Sequence, residues 1–346
     1  MNEVRNFKAT KTAVRLVQSF LLLSFVLFLG GCAASVQRTE LFWPPPPEKP
    51  RIEFVEILRD GNYFGTSFFK SFLAAFLGQS RRDRLFKPYG VAVDSMGRVY
   101  VTDTGLGQVF VFDKVEKKVR MIGDAGEGKL SLPTGITIGD SMVFVSDSRL
   151  KRVFGYDLQG NLKMAIGAKD EFVSPSGLAY DEGTKRLYVV DTGKHEVRVY
   201  DRSGKFLFSF GKRGGGDGEF NYPTNIFVRD GKVYVMDTMN FRVQIFDLNG
   251  KFLYKFGSLG DRPGSFSRPK GIAVDSQNHI YVVDAAFDNF QIFDDKGQIL
   301  LFIGTAGSGP GEFDLPAGIF IDQHDFIYVV DQLNSRVEVF RFLGGN

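Results

Sequence analysis

The 346-residue chain has a single cysteine, Cys32, and only three histidines. One cysteine excludes an intrachain disulfide framework, so the fold must be held by its core and its hydrogen bonds. The Gly-x-Ser-x-Gly motif of serine hydrolases is also missing. The sequence therefore offers no serine nucleophile motif, and its one cysteine has another predicted use, described below.

An excess of one charge sign is also missing beyond the N-terminus. The formal net charge is +3, from 43 Lys and Arg against 40 Asp and Glu. Residues 1–31 hold four basic residues and one acidic residue, which accounts for the whole excess. The remaining chain is neutral, whereas proteins that bind a phosphate backbone carry a net basic face. We therefore expect no nucleic-acid partner.

The N-terminal apolar run, from Phe20 to Leu29, is too short for a transmembrane helix. It follows the basic residues Lys8, Lys11 and Arg15, which predicts a signal peptide over residues 1–31. The run ends in Leu29-Gly30-Gly31-Cys32, which resembles a bacterial lipobox. The resemblance implies an exported protein that Cys32 anchors to a membrane through acyl chains. In Gram-negative lipoproteins, a residue other than Asp after the cysteine favours the outer membrane, and Ala33 stands here. The alternative is a free buried cysteine behind an uncleaved anchor.

Residues 32–50 contain the predicted lipidation site and a proline-rich stretch, Trp43 to Pro47. Consecutive prolines favour the polyproline II conformation, which makes a stiff spacer. At ~3.1 Å per residue, we expect a tether that reaches up to roughly 55 Å from the bilayer. A binding site for a proline-reading module is the alternative.

The rest of the chain repeats one pattern six times. An acidic residue ends an alternating apolar run in every copy, with gaps of 44, 44, 46, 47 and 47 residues. These acids are Asp103, Asp147, Asp191, Asp237, Asp284 and Asp331. An entry proline precedes each of them: Pro88, Pro133, Pro175, Pro223, Pro269 and Pro316. Glycine lies two positions after the proline in every copy except the fourth, which has Asn225.

Each of the first five copies contains four short alternating segments between Gly, Asn and Asp turns, which is typical of antiparallel strands. A period of about 45 residues with four strands per unit predicts an all-β, six-bladed β-propeller over residues 51–346. The sixth copy ends at Phe342 without a fourth strand, while residues 51–58 alternate before the first copy. We expect residues 51–58 to complete the last blade, because this pairing removes open sheet edges.

Residues 59–87 depart from the repeat and form an insertion. Apolar residues at i, i+4 spacing predict a short helix near residues 67–77. Its apolar stripe consists of Phe68, Phe69, Phe72, Leu73, Phe76 and Leu77. Covering such side chains is worth ~1.5–3 kcal/mol each, so we expect something to pack on them. The candidates are the propeller's own surface, the channel mouth, a partner or lipid.

The six recurring aspartates are the candidate cation ligands, because they end equivalent strands on one face. Two of them belong to an Asp-x-x-Asn-x-Arg pattern: Asp237, Asn240 and Arg242, and Asp331, Asn334 and Arg336. In that pattern the acid can cap loop amides and pair with the arginine, which is a structural role. Since the acids recur in every blade, we favour the structural role and assign no metal or other cofactor.

The glycine-rich loops and the histidines suggest no further site. The loops precede proline-containing strand entries and no helix, which predicts turns between blades and not phosphate loops. His195 falls in a loop after a second strand, whereas His279 and His324 fall in turns on the opposite face. We therefore expect no three-histidine zinc site.

The repeat resembles the NHL family. The residues that carry this resemblance include Phe313-Asp314-Leu315-Pro316-Ala317-Gly318-Ile319 and Ile327-Tyr328-Val329-Val330-Asp331. The resemblance implies a six-bladed propeller that acts mostly in binding, although a few relatives are lyases or lactonase-like enzymes with a channel metal. The ligand sets of those enzymes have no residue-by-residue match in this chain. The sequence thus predicts a non-catalytic, lipid-anchored envelope propeller that binds an unknown protein or envelope polymer. The alternative is a metal-dependent hydrolase or lyase.

Overall fold

The structure, a computed structural model, describes residues 40–61 and 83–344. The described chain begins with β1 (Phe42–Trp43) and β2 (Ile52–Leu58). Blade 1 contains β3 (Pro88–Val93), β4 (Val99–Asp103), β5 (Gln108–Asp113) and β6 (Lys118–Ile122). Blade 2 contains β7 (Pro133–Gly139), β8 (Met142–Asp147), β9 (Arg152–Asp157) and β10 (Leu162–Ile166). Blade 3 contains β11 (Pro175–Asp181), β12 (Arg186–Asp191), β13 (Glu196–Asp201) and β14 (Phe206–Phe210).

The remaining blades follow the same order. Blade 4 contains β15 (Pro223–Arg229), β16 (Lys232–Asp237), β17 (Arg242–Asp247) and β18 (Phe252–Phe256). Blade 5 contains β19 (Pro269–Val274), β20 (Ile280–Asp284), β21 (Asn289–Phe293) and β22 (Ile299–Ile303). Blade 6 contains β23 (Pro316–Ile321), β24 (Phe326–Asp331) and β25 (Arg336–Phe342). The first strand of each blade contacts the first strand of the next, and β23 contacts β3, so the ring is closed.

The N-terminal strand completes blade 6, as the sequence predicts. β2 pairs antiparallel with β25, from Ile52 opposite Phe342 to Leu58 opposite Val337. The all-β, six-bladed prediction is therefore confirmed. In the described part of the chain, no helix has the length and apolar character needed to cross a bilayer. The helix expected near residues 67–77 lies outside the described residues.

Part of the segment assigned to the tether lies within the sheet of blade 6. β1 pairs with the outer edge of β2, with Trp43 opposite Ile52, and the Arg51 amide donates to the Trp43 carbonyl at 2.8 Å. The Trp43 ring packs edge-on against Phe340, with the ring centroids 5.6 Å apart. The outer edge of β2 and a buried aromatic ring therefore contact this part of the proline-rich segment, whereas a free spacer would contact neither.

The hydrophobic core lies between the blades. Six buried clusters each join side chains of two neighbouring blades. Tyr188 of blade 3, for example, is in one cluster with Phe246 of blade 4. Aromatic pairs such as Phe210 and Phe246, with centroids 4.9 Å apart, fill the wedge between sheets. The high phenylalanine content of the repeat therefore serves the contacts between blades.

The glycine two positions after the entry proline lets neighbouring inner strands approach each other closely. A Cβ atom on Gly135 would lie 2.0 Å from the carbonyl oxygen of Ser176, which no folded backbone tolerates. Glycine is therefore required at this contact for space, not for an unusual φ angle. Blade 4 has Asn225 at the equivalent position, where its side chain accepts a hydrogen bond from the Ile226 amide at 2.8 Å.

Replacing Gly135 with Ala should lower the free energy of unfolding by about 1–3 kcal/mol, because the added methyl group forces two inner strands apart. The matched control is Gly183→Ala. A Cβ atom there would meet only the Asp181 carboxylate, at 3.6 Å, so a change within about 0.5 kcal/mol is expected. Thermal unfolding followed by circular dichroism compares the two. Equal midpoints for both variants would contradict the close-contact explanation.

Candidate functional site

The inner strands all begin on one side of the ring, which we call the entry face. The loops between second and third strands lie on the same side, beside the strand entries. The Thr104 amide donates to the Lys87 carbonyl at 3.0 Å, and the Met239 amide donates to the Asn221 carbonyl at 3.0 Å. This face therefore combines two loops from every blade around the channel mouth.

The six recurring aspartates lie at the entry face and are completely buried. In blade 1, Oδ2 of Asp103 accepts hydrogen bonds from the amides of Phe86 and Lys87 at 2.7 and 3.0 Å. Its Oδ1 accepts from the amides of Gly105 and Leu106, both at 3.0 Å. Asp147 and Asp191 each accept the same four amide bonds. The carboxylate thus ties each strand entry to the next loop.

Two aspartates use the side chains of the Asp-x-x-Asn-x-Arg pattern. Oδ2 of Asp331 accepts from Nε of Arg336 at 2.7 Å and from Nδ2 of Asn334 at 2.8 Å. The Arg336 guanidinium is 1% exposed, and it also donates to the carbonyls of Ser308 and Gly309 in the preceding glycine-rich loop. Burial raises the pKa of Asp331, although these donors act against the shift. Asp237, Asn240 and Arg242 repeat the arrangement in blade 4.

The histidines lie apart, as the sequence predicts. His195 is in the loop between β12 and β13 at the entry face, where its Nδ1 accepts from the Tyr222 amide at 3.1 Å. His279 and His324 are in the β19–β20 and β23–β24 turns on the opposite face. Within residues 40–61 and 83–344, no three His, Cys, Asp or Glu side chains converge as a metal site.

A cavity of about 490 Å³ follows the central channel. It extends from Tyr89 and Thr224 near the entry face to Arg229 and His324 at the opposite face. Phe227 of blade 4 meets Phe320 of blade 6 across the channel, with ring centroids 6.0 Å apart. The other inner strands have small side chains at this level: Ala92, Thr137, Ala179 and Ala273. The volume falls within the range of small-molecule pockets.

The residue after the entry proline differs in almost every blade. In chain order, these residues are Tyr89, Thr134, Ser176, Thr224, Lys270 and Ala317. The hydroxyls of Ser176 and Thr224 are hydrogen-bonded to Thr192 and Thr238 at 2.7 and 2.6 Å. Lys270 is the only basic residue in the set, so this position gives one blade a distinct chemistry at the channel mouth.

Lys270 is partly buried and faces an aromatic ring. Its Nζ lies 5.9 Å from the ring centroid of Tyr89, and no carboxylate among the described residues pairs with it. Burial, and to a lesser extent the nearby positive charge of Arg268, together lower the pKa of Lys270 to about 8. Burial also raises the pKa of Tyr89, against the effect of Arg268. Tyr89, Arg268 and Lys270 are therefore one electrostatically connected group.

The entry face carries an unusual share of the exposed apolar side chains. Eight of the sixteen large apolar side chains that are exposed in the described residues lie there. They are Phe86, Leu106, Leu150, Val173, Tyr222, Met239, Leu259 and Leu333. Three lie on the opposite face, namely Met96, Val115 and Leu343, and five lie on the outermost strands. The channel mouth is thus surrounded by apolar loop tips.

Several residues that the sequence singled out lie outside the described residues. These are Cys32 and the helical stripe Phe68, Phe69, Phe72, Leu73, Phe76 and Leu77. The ends of the insertion are described and pair with each other. The Gly61 amide donates to the Asp83 carbonyl at 3.1 Å, and the Leu85 amide donates to the Arg59 carbonyl at 3.0 Å. The insertion therefore starts and ends at neighbouring points between blades 6 and 1.

The fold and the repeated loop chemistry define a propeller of the NHL class, and comparison with known families agrees. The NHL repeat model matches residues 87–112. The family model described as 6-bladed beta-propeller matches residues 169–231, 223–291 and 277–345, which together span more than half of the chain. The chain belongs to this 6-bladed beta-propeller family.

Individual relatives differ in their activities. A probable peptidyl-alpha-hydroxyglycine alpha-amidating lyase of Caenorhabditis elegans is 26% identical over 129 residues, which is 33% of this chain and 37% of that protein. The brain tumor protein of Drosophila melanogaster is 34% identical over 58 residues, which is 17% of this chain and 6% of that protein. The chain thus spans little more than a third of the first relative and far less of the second.

Solved structures show the same architecture. A streptogramin B lyase structure has a TM-score of 0.57 and 11% identity over 75% of this chain and 94% of that chain. At this level of identity, the similarity shows the fold alone.

Replacing Lys270 with Met should stabilise the protein at neutral pH, because the folded state holds an ammonium group that burial disfavours. The gain should be about 1 kcal/mol, since the site remains partly open to solvent. A lysine with a lowered folded pKa carries its full penalty below a pH of about 8. The penalty disappears as pH rises to the unfolded pKa near ~10.4. Unfolding midpoints of both proteins between neutral and alkaline pH measure it; a constant difference would contradict this linkage.

Proposed function

We propose that this protein is a non-catalytic binding propeller that is held at the cell envelope by a lipid on Cys32 and binds a protein partner on its entry face. The observation that carries the proposal is the concentration of exposed apolar side chains around the channel mouth. Exposed apolar side chains that gather on one face of a protein are typical of interaction sites.

Charge indicates the chemistry of the partner. Two kinds of segment form this part of the face. The strand entries run from two residues before each entry proline to one residue after it, and the loops consist of the four residues after each recurring aspartate. These segments contain six basic residues, Lys87, Arg149, Lys151, Lys194, Arg268 and Lys270. They contain two acidic residues, Asp288 and Asp314. A protein surface with apolar and acidic side chains would complement this face, because opposite potentials favour association. The basic excess belongs to these segments, because the loops that lead from the fourth strand of blades 1 to 5 to the next strand entry contain more acidic than basic residues.

Photocrosslinking in the native host tests the partner site. A photoreactive phenylalanine analogue at Leu106 or Met239 should give protein adducts, because both side chains are exposed at the entry face. The same analogue at Met96 or Val115 on the opposite face is the matched control and should give few adducts. Mass spectrometry of the adducts identifies the partner and its contact segment. Equal adduct yields from the two faces, or none from the entry face, would refute the proposal.

Replacing Cys32 with Ser should release the protein from membranes, because a serine cannot carry the thioether-linked lipid. Membrane and soluble fractions of the native host are compared by immunoblotting. The photocrosslinking variants of the propeller keep Cys32 and serve as controls that should remain with the membrane. Membrane retention of the Cys32→Ser variant would contradict the lipid anchor. Attachment to the outer membrane, and contact of the helical stripe at residues 68–77 with partner or lipid, are further parts of this proposal.

A metal-dependent hydrolase or lyase is the second candidate. The specific observation in its favour is the cavity of about 490 Å³ in the central channel. Two lyases among the similar proteins share part or all of the architecture. Elemental analysis of the purified full chain separates the candidates, because one equivalent of tightly bound zinc or calcium would favour the enzyme.

A further inference from the structure

The channel mouth contains two cations that the fold itself does not neutralise. Lys270 and Arg268 have no ion-pair partner among the described residues. Asp288 of the same blade accepts the Leu315 amide at 2.9 Å. Asp284 is fully buried and accepts the amides of Ser267 and Arg268, so its oxygens are occupied by the loop backbone. Neither cation therefore has a structural carboxylate partner among the described residues.

The partial burial of the Lys270 charge lowers the stability of the folded protein unless another interaction compensates for it. A partly buried ammonium group loses part of its hydration free energy. The attraction of a single aromatic ring 5.9 Å away compensates for only a fraction of that loss. The equivalent residues of blades 2, 3 and 4 are Thr or Ser, which satisfy their hydroxyls within the protein. Packing therefore does not require a lysine here. Charged groups whose burial is not compensated by contacts within the protein commonly lie at ligand sites.

Beyond the aromatic ring that Lys270 faces, the channel widens into a cavity that neither Lys270 nor Arg268 lines directly. Tyr89, whose ring faces Lys270, also lines the cavity of about 490 Å³. The cavity continues along apolar side chains, including Phe227 and Phe320. Two cations beside the aromatic ring of Tyr89 suit a molecule with one anionic group and an apolar body.

We propose that the entry-face mouth binds a small organic anion. The Lys270 ammonium and the Arg268 guanidinium hold its carboxylate or phosphate group, and its apolar body lies against Tyr89 and extends into the channel. This site goes beyond the protein-binding role, because it needs no macromolecular partner and would give the propeller a small-molecule ligand.

Isothermal titration calorimetry of the full chain tests the site with three probes that share one ring. Benzoate and phenyl phosphate carry the two candidate anionic groups, and benzyl alcohol is the neutral control. Both anions should bind at one site, whereas benzyl alcohol should bind at least tenfold more weakly, because a charge-assisted hydrogen bond is worth ~1.5–3 kcal/mol. The tighter of the two anions identifies the class of the natural ligand.

Variants assign the binding to the named residues. Lys270→Met should weaken benzoate binding about tenfold or more, Arg268→Gln should weaken it less, and Lys270→Arg should restore most of it. Lys296→Met is the matched control, since Lys296 is exposed in the turn between β21 and β22 on the opposite face. Lys270→Met is expected to be at least as stable as the parent, so loss of binding would not reflect unfolding. Equal affinities for benzoate and benzyl alcohol, no heat from either anion, or unchanged binding by Lys270→Met would each overturn the proposal.

Discussion

Each blade depends on a buried carboxylate at the end of its second strand. That carboxylate is completely buried, yet in blades 1 to 3 four backbone amides surround it, so its lost hydration is replaced by hydrogen bonds. The same bonds connect the strand entry to the next loop. Where Arg336 and Arg242 take part, they extend the connection to the glycine-rich turn before the blade.

Some residues recur in every blade and build the ring, whereas other positions vary from blade to blade. The entry prolines, the aspartates and the close-packed glycines recur, and each has a structural explanation in the contacts that it makes. The varying positions face the channel and its mouth instead: Tyr89, Asn225 and Lys270 near the entry, and Phe227 with Phe320 deeper inside. Lys270 does not recur in the other blades, so the repeat pattern did not predict it as a site residue. The usable signal was the position after each entry proline, where one blade has a cation.

The entry face brings together the features that the proposed role requires. Its apolar loop tips surround a mouth at which Lys270 and Arg268 lie, although the chain beyond residue 31 is neutral. The insertion begins and ends at this face through the paired segments at Arg59 and Leu85. Trp43 pairs with the outer edge of blade 6, so Pro44–Pro47 lie in the connection between two paired strands, β1 and β2.

Local chemistry was enough to determine the repeat, the six blades and the closing strand, because alternation, turn residues and period are properties of neighbouring positions. The capping role of the aspartates was also readable, since the acid and its Asn and Arg partners lie within five residues. Only the tertiary structure decided that Lys270 faces Tyr89, that Phe227 meets Phe320 across the channel, and that Trp43 docks on Phe340. Those pairs are far apart in sequence, and ring closure sets their distances.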